Sequence, residues 1–165
     1  MKTKLLYLVV LSALILPVIL LSACRAESKT GFGIYLADTG ELVLSERDIQ
    51  AYYKDTHTIV LNSSGIEKWN SYITETPPKL NHTLYGREFF LKVNGIELYR
   101  GLFYSGASSA TYSGTVILDA LFKLGTISRS MSIDYGYPAS SFSQGTDSRD
   151  DPRLLTYLQN KGLLK

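Results

Sequence analysis

Two histidines, one cysteine and fifteen carboxylates are the side chains of this 165-residue chain with which chemistry could be done. His57 and His82 are the groups whose ordinary pKa lies near neutrality. A metal site needs three or four ligands at workable spacing, and the sequence has no His-x-His, His-x-x-x-His or Cys-x-x-Cys pattern. Each histidine therefore reads as a strand-edge or loop residue. Ser108, His82 and Asp119 could be drawn as a nucleophile, base and orienter, but such triads are defined by geometry rather than by sequence. Asp38 with Asp134 is an equally unconstrained carboxylate pair of the kind glycoside hydrolysis uses. Ser105 to Gly114 is rich in hydroxyls and glycine, yet it has no lysine after the glycines and no Gly-x-Ser-x-Gly. It fits neither a phosphate cradle nor a nucleophile elbow. The sequence thus nominates no catalytic residue, no metal and no cofactor.

The elements that must position these groups are easier to read. Phe32 to Ala37 suits a first strand, and Asp38-Thr39-Gly40 a turn before the short apolar run Leu42-Val43-Leu44. Ser45-Glu46-Arg47-Asp48 has the form of a helix start, with a hydroxyl at the cap and a carboxylate three residues on. Ile49, Tyr52 and Tyr53 would then share one face of a short helix. Glu46 with Asp48 is accordingly read as capping chemistry, not as a catalytic pair. His57 to Leu61 reads as a central strand. After the Asn62-Ser63-Ser64-Gly65 junction, Ile66, Trp69, Tyr72 and Ile73 fall on one stripe of a helix, with Trp69 its main anchor on the sheet. Thr76-Pro77-Pro78 ends that helix.

The polar loop that follows contributes Lys79, Asn81, His82 and Arg87 as a candidate contact surface, since long loops carry function more often than short ones. Asn94-Gly95 between Glu88–Val93 and Ile96–Tyr104 is a strong hairpin signal. Aromatics occur on both faces of that hairpin, so part of its second face should be covered too, and Tyr99 and Tyr104 are candidate contact residues. Thr115 to Phe122 suits either a strand or a helix, and as a strand it forms a hairpin with Met131 to Tyr137. Pro152 after Asp151 starts a last helix with an apolar face of Leu154, Leu155 and Leu158, closed by Gly162.

Lys2 and Lys4 precede an uncharged apolar run, Leu5 to Ala23, that ends in Leu21-Ser22-Ala23-Cys24. A positive start, an apolar middle and small residues before a cut are what an export signal requires. The run resembles a bacterial lipoprotein signal, and the resemblance implies lipid attachment at Cys24. Retention of residues 5–23 as a membrane anchor is the alternative, because about 20 apolar residues span a bilayer. Both readings put the domain outside the cytoplasm. One cysteine cannot make an internal disulfide. Lys2 and Lys4 carry the formal net charge of +2, and the remainder is balanced. Balance argues against a nucleic-acid binder and against a polybasic lipid-surface patch. The expected organisation is a signal or anchor over 1–23, a polar tether over 24–30 and a single domain over 31–165. That domain is α+β, an antiparallel sheet with two or three helices packed on one face. Twelve tyrosines beside six phenylalanines suit such a sheet, whose rings hold one face in the core and a hydroxyl in water.

Residues 44–114 resemble the periplasmic head region of the SecD and SecDF protein-export subunits. The likeness is carried by Leu44-Ser45 with its acidic follow-up, the strand Thr58 to Leu61, and Ser64-Gly65-Ile66-Glu67-Lys68-Trp69. It continues through Leu91-Lys92-Val93-Asn94-Gly95, Gly106-Ala107-Ser108-Ser109 and Ser113-Gly114. The resemblance implies an α+β fold with polypeptide-contacting surfaces. Asn94 stands where that family carries aspartate, and no further apolar run of spanning length follows residue 23, so it does not imply a translocation motor. Together these features predict a membrane-tethered extracytoplasmic binding domain with a protein or peptide partner. The alternative is an envelope hydrolase acting on a glycan or peptide, motivated by the loops Thr76 to Arg87 and Ser105 to Gly114.

Overall fold

The computed structural model describes residues 31–75, 83–118, 120–125 and 127–165. Cys24, the run Leu5 to Ala23, the tether, Lys79, Asn81, His82 and Asp119 lie outside the described residues. The described chain forms eight strands and two α-helices, an α+β arrangement dominated by one sheet. The strands are β1 (Phe32–Leu36), β2 (Leu42–Ser45), β3 (Ile49–Tyr53) and β4 (Thr58–Leu61), then β5 (Glu88–Val93), β6 (Ile96–Phe103), β7 (Tyr112–Ile117) and β8 (Ser130–Tyr137). Helix α1 (Ser63–Ser71) follows β4, and α2 (Pro152–Asn160) follows β8.

The strands lie side by side in the order β2-β1-β5-β6-β7-β8-β4-β3. The outermost two, β2 and β3, are joined only by Glu46, Arg47 and Asp48, closed by a hydrogen bond from Asp48 N to Ser45 O at 3.0 Å. A sheet whose two edges are tied by so short a turn cannot lie open, so it curls around its apolar face. Inside the curl Ile34, Leu36, Leu61, Trp69, Phe89, Phe103, Ile117, Ile133, Leu154 and Leu158 belong to one buried cluster. A smaller cluster of Tyr104, Val116 and Tyr137 lies apart from it. Val116 and Ile117 are neighbours on β7 yet belong to different clusters, which puts apolar residues on both faces of the sheet, as the hairpin aromatics foretold.

Two expectations are overturned. Ile49 to Tyr53 is strand β3, not a helix. The bond expected of a capping box does form: the Asp48 carboxylate accepts from Ser45 N and Ser45 Oγ, both at 2.8 Å. It closes the β2–β3 turn instead of opening a helix, because β3 finds a partner in β4, with Ile49 opposite Leu61 and Tyr52 opposite Ile59. A short amphipathic segment satisfies its backbone in whichever partner tertiary structure supplies. Second, the sheet is mixed rather than antiparallel, since β7 runs parallel to β6, with Gly101 opposite Thr115 and Phe103 opposite Ile117. Parallel neighbours usually need a crossover of a dozen or more residues. Here residues 104–111 suffice, because small residues lie close to the sheet and tyrosines tie them down. The 115–122 ambiguity resolves as strand to Ile117, paired with β8. Of the His57 to Leu61 segment, Thr58–Leu61 form β4, one place in from an edge, and His57 lies in the turn before it.

Other expectations hold. Asn94 (φ 51°) and Gly95 (φ 79°) both adopt the left-handed conformation that a two-residue hairpin turn requires. Helix α1 is capped by Asn62, whose Oδ1 accepts from Gly65 N at 3.0 Å, while its Nδ2 donates to Arg47 O at 2.6 Å. Trp69 is fully buried, 6.0 Å from Phe103. Helix α2 opens on Asp151, which accepts from Arg153 N at 2.8 Å, and it contributes Leu154 and Leu158 to the main cluster.

Gly65 seats α1 on the β2–β3 turn, and a β-carbon there would overlap the Asp48 carbonyl oxygen. Gly65→Ala is therefore expected to cost about 2 kcal/mol in urea unfolding. Gly106→Ala, where a β-carbon meets open space, should be close to neutral in the same measurement.

Candidate functional site

One group of ionisable and phenolic side chains gathers about His57. The turn between β3 and β4 puts His57 in the left-handed region (φ 47°), a conformation histidine tolerates better than most residues. Its backbone oxygen accepts from Ile133 N at 3.0 Å, which ties it to β8. Tyr52, fully buried, places its hydroxyl 3.0 Å from His57 Nδ1. Burial, reinforced by the nearby Arg149 charge, holds the imidazole pKa below its ordinary value. Burial likewise pushes the Tyr52 phenol well above its usual range. At neutral pH the two groups share one hydrogen bond, between a protonated phenol and a neutral imidazole.

Arg149, on the loop leading into α2, closes the group from outside. Its Nη1 donates to Ile133 O at 2.8 Å, its Nε and Nη2 hold the Asp147 carboxylate at 2.7–3.1 Å, and the guanidinium lies 5.8 Å from the Tyr135 ring centre. That guanidinium keeps the Asp147 carboxyl below the usual carboxylate range. Asp134 and Asp150 add negative potential at His57. Tyr99, on β6, is 7 % exposed, and its hydroxyl has no hydrogen-bond partner among the described residues.

Chemically this arrangement is conservative. A phenol held protonated is no nucleophile, the neutral imidazole already has Tyr52 at Nδ1, and the arginine is bonded through all three nitrogens. Among the described residues no group of three or more His, Cys, Asp or Glu could hold a metal ion. The cluster fastens β3, β8 and the 147–151 loop to one another.

The residues singled out from sequence are placed as follows. Tyr99 and Tyr104, expected at a contact surface, are buried instead, at 7 % and 5 % exposure. A register shift sets Leu91 opposite Tyr99 but Lys92 opposite Glu97, leaving Leu98 as an extra residue. That bulge helps to send Tyr99 and Phe103 into the main cluster, while Arg100 stays exposed. The Tyr104 hydroxyl donates to Ala110 O at 2.9 Å, and Tyr137 donates to Gly106 O and Ser108 O at 2.9 and 3.0 Å. Tyr85 donates to Ser108 Oγ at 3.1 Å and stacks on Tyr104 at 5.5 Å. Three phenols thus pin the 104–111 crossover to the sheet, and Ser108, the nucleophile of the hypothetical triad, is part of that pinning.

Arg87 donates through Nη2 to both oxygens of Asp38, at 2.8 and 2.9 Å. Asp38 and Asp134 therefore do different work, one pairing with Arg87 and the other contributing to the potential at His57. The Tyr52–His57–Arg149 group was not recognised from sequence. Its members come from a strand read as a helix, the turn after it and a surface excursion, brought together by the adjacent pairing of β3, β4 and β8. An open groove of about 400 Å3 lies elsewhere, between the β5–β6 turn and α2, lined by residues that include Val93, Ile96, Pro152 and Tyr157. Ile96 there is 54 % exposed.

Comparison with protein-family models, curated proteins and solved structures returns no match for this chain.

Because the folded imidazole has a depressed pKa, the unfolded chain binds the proton more readily. The His57 contribution is complete above the ordinary value of 6.5 and is lost as pH falls through the folded value. Urea midpoints taken from pH 7.5 to 5 should show a fall that His57→Asn lacks. Arg149→Met is expected to cost about 1–3 kcal/mol at pH 7 by removing the bond to Ile133 O and stranding Asp147.

Proposed function

We propose that this chain is a membrane-tethered extracytoplasmic binding domain that contacts polypeptide and does no covalent chemistry. The apolar leader ending in Cys24 supports the tether, either by lipid on Cys24 or by retention of residues 5–23. The likeness of residues 44–114 to SecD-type heads supports a polypeptide as the partner. In this reading both helices cover the same face of the sheet, since Trp69, Leu154 and Leu158 share one apolar cluster.

The observation that carries the proposal is the contrast between the polar groups and the groove. Tyr52, His57, Arg149, Ser108 and Arg87 are each engaged by internal partners. The groove beside the β5–β6 turn, by contrast, offers Ile96 with more than half its surface in water. An exposed apolar residue in a groove is the kind of feature a partner covers. The groove also lies where the chain enters the domain, because Asn94 N donates to Gly31 O at 2.9 Å. A tether leaving at Gly31 would hold that groove near the membrane.

Fatty-acid labelling should mark Cys24 and be lost in Cys24→Ser; a labelled serine variant, or an unlabelled native chain, removes the lipid. A photoreactive residue at Ile96 in the membrane-held chain should capture a polypeptide, whereas one at Phe142, of similar exposure at 45 %, should not. Equal capture at both positions, or none at Ile96, counts against the binding reading.

A further inference from the structure

The two edges of the curled sheet are guarded differently. Strand β2 is short, and its pairing with β1 is offset at Val43, since Ile34 faces Leu44 while Tyr35 faces Leu42. Its Ser45 N–H is taken by the Asp48 carboxylate. A shortened, irregular and capped edge is poor at receiving another strand. Strand β3 has a register shift of its own against β4, between Ile49 and Ala51, but beyond it the outer edge already receives a strand. Tyr52 N donates to Leu163 O at 2.8 Å, Lys165 N donates to Tyr52 O at 2.9 Å, and Lys54 N donates to Lys165 O at 3.1 Å. Residues 163–165 thereby run parallel to β3, with Leu164 opposite Tyr52.

This strap is lightly held. Leu163 and Leu164 pack against the main cluster but are only partly buried, and Lys165 is exposed. Beyond the three edge bonds, its backbone is fastened by Leu163 N and Leu164 N, which both donate to Leu158 O, at 2.9 and 3.3 Å. Gly162, in the left-handed region (φ 70°), supplies the bend from which the strap leaves α2. It covers the Tyr52–Lys54 stretch, and another extended chain laid in the same register could replace its bonds.

We infer that the outer edge of β3 is an acceptor site for an extended polypeptide strand running parallel to it, and that Leu163–Lys165 is a resident occupant that lifts to admit one. The inference rests on the polypeptide-binding reading and gives it a second contact, made by main-chain pairing. Specificity at such an edge comes from alternate side chains, and here Tyr53, 47 % exposed, is available beside it.

Amide hydrogen exchange on the full chain tests the device without a partner. The Tyr52 and Lys54 amides should exchange at least tenfold faster than those of Ile59 and Leu61 in β4, with little dependence on denaturant, as local opening requires. If they exchange only with global unfolding, the strap is a fixed part of the sheet and the inference falls. The acceptor role is tested with a synthetic peptide copying residues 158–165. It should bind Lys165→Pro, which loses the bond from Lys165 N to Tyr52 O, at least fivefold more tightly than the native chain. N-methylation of the peptide at the residue matching Lys165 should abolish binding. A strap that opens while no peptide binds, or an N-methylated peptide that binds equally well, overturns the acceptor role. Capture at Ile96 decides the wider reading separately.

Discussion

Strands β2 and β3 stand at opposite ends of one sheet, and the three residues between them hold those ends together. Asp48 is the clasp. It is 6 % exposed, and its carboxylate takes the Ser45 amide and hydroxyl, the Ser64 hydroxyl at 3.3 Å and the Lys68 ammonium at 3.5 Å. Its backbone oxygen accepts from Asn62 N at 3.1 Å. One buried side chain thus joins the edge turn to the start of α1. A buried carboxylate is stable only when its oxygens are filled, and here both are. The curl and the enclosed apolar cluster follow from that closure.

The aromatic residues divide along the same geometry. Tyr52 and Tyr99 sit with the main cluster inside the curl, whereas Tyr104 and Tyr137, with Tyr85 and Tyr112 against them, make the small cluster under the crossover. Phenols suit that second cluster because the ring excludes water from a thin layer while the hydroxyl satisfies loop carbonyls. A crossover as short as 104–111 has few residues of its own to bury. The sheet supplies the apolar surface, and the loop supplies the acceptors.

Polar chemistry in this domain has been turned inward. His57 is kept neutral, Tyr52 is kept protonated, Arg149 is saturated by Asp147 and a main-chain oxygen, and Ser108 is shared between two phenols. Among the described residues, the groove beside Ile96 and the outer edge of β3 are apart from these groups.

Much of this was written locally. Asn94-Gly95 determined the β5–β6 turn because both residues tolerate left-handed conformation, and Asp151-Pro152 determined the start of α2 because one caps and the other needs no donor there. The stripe through Trp69 determined which side of α1 is buried. Tertiary structure decided the rest. The segment from Ile49 to Tyr53 has a pattern compatible with helix or strand, and pairing with β4 chose strand. The same side chains of β6 could face either way until the bulge at Leu98 placed Tyr99 inside. The parallel union of β6 and β7, and the approach of Arg149 to Tyr52 and His57, join residues well separated in sequence. Local propensity carries no information about such contacts, because their energy exists only once the sheet has curled and excluded water from both sides of them.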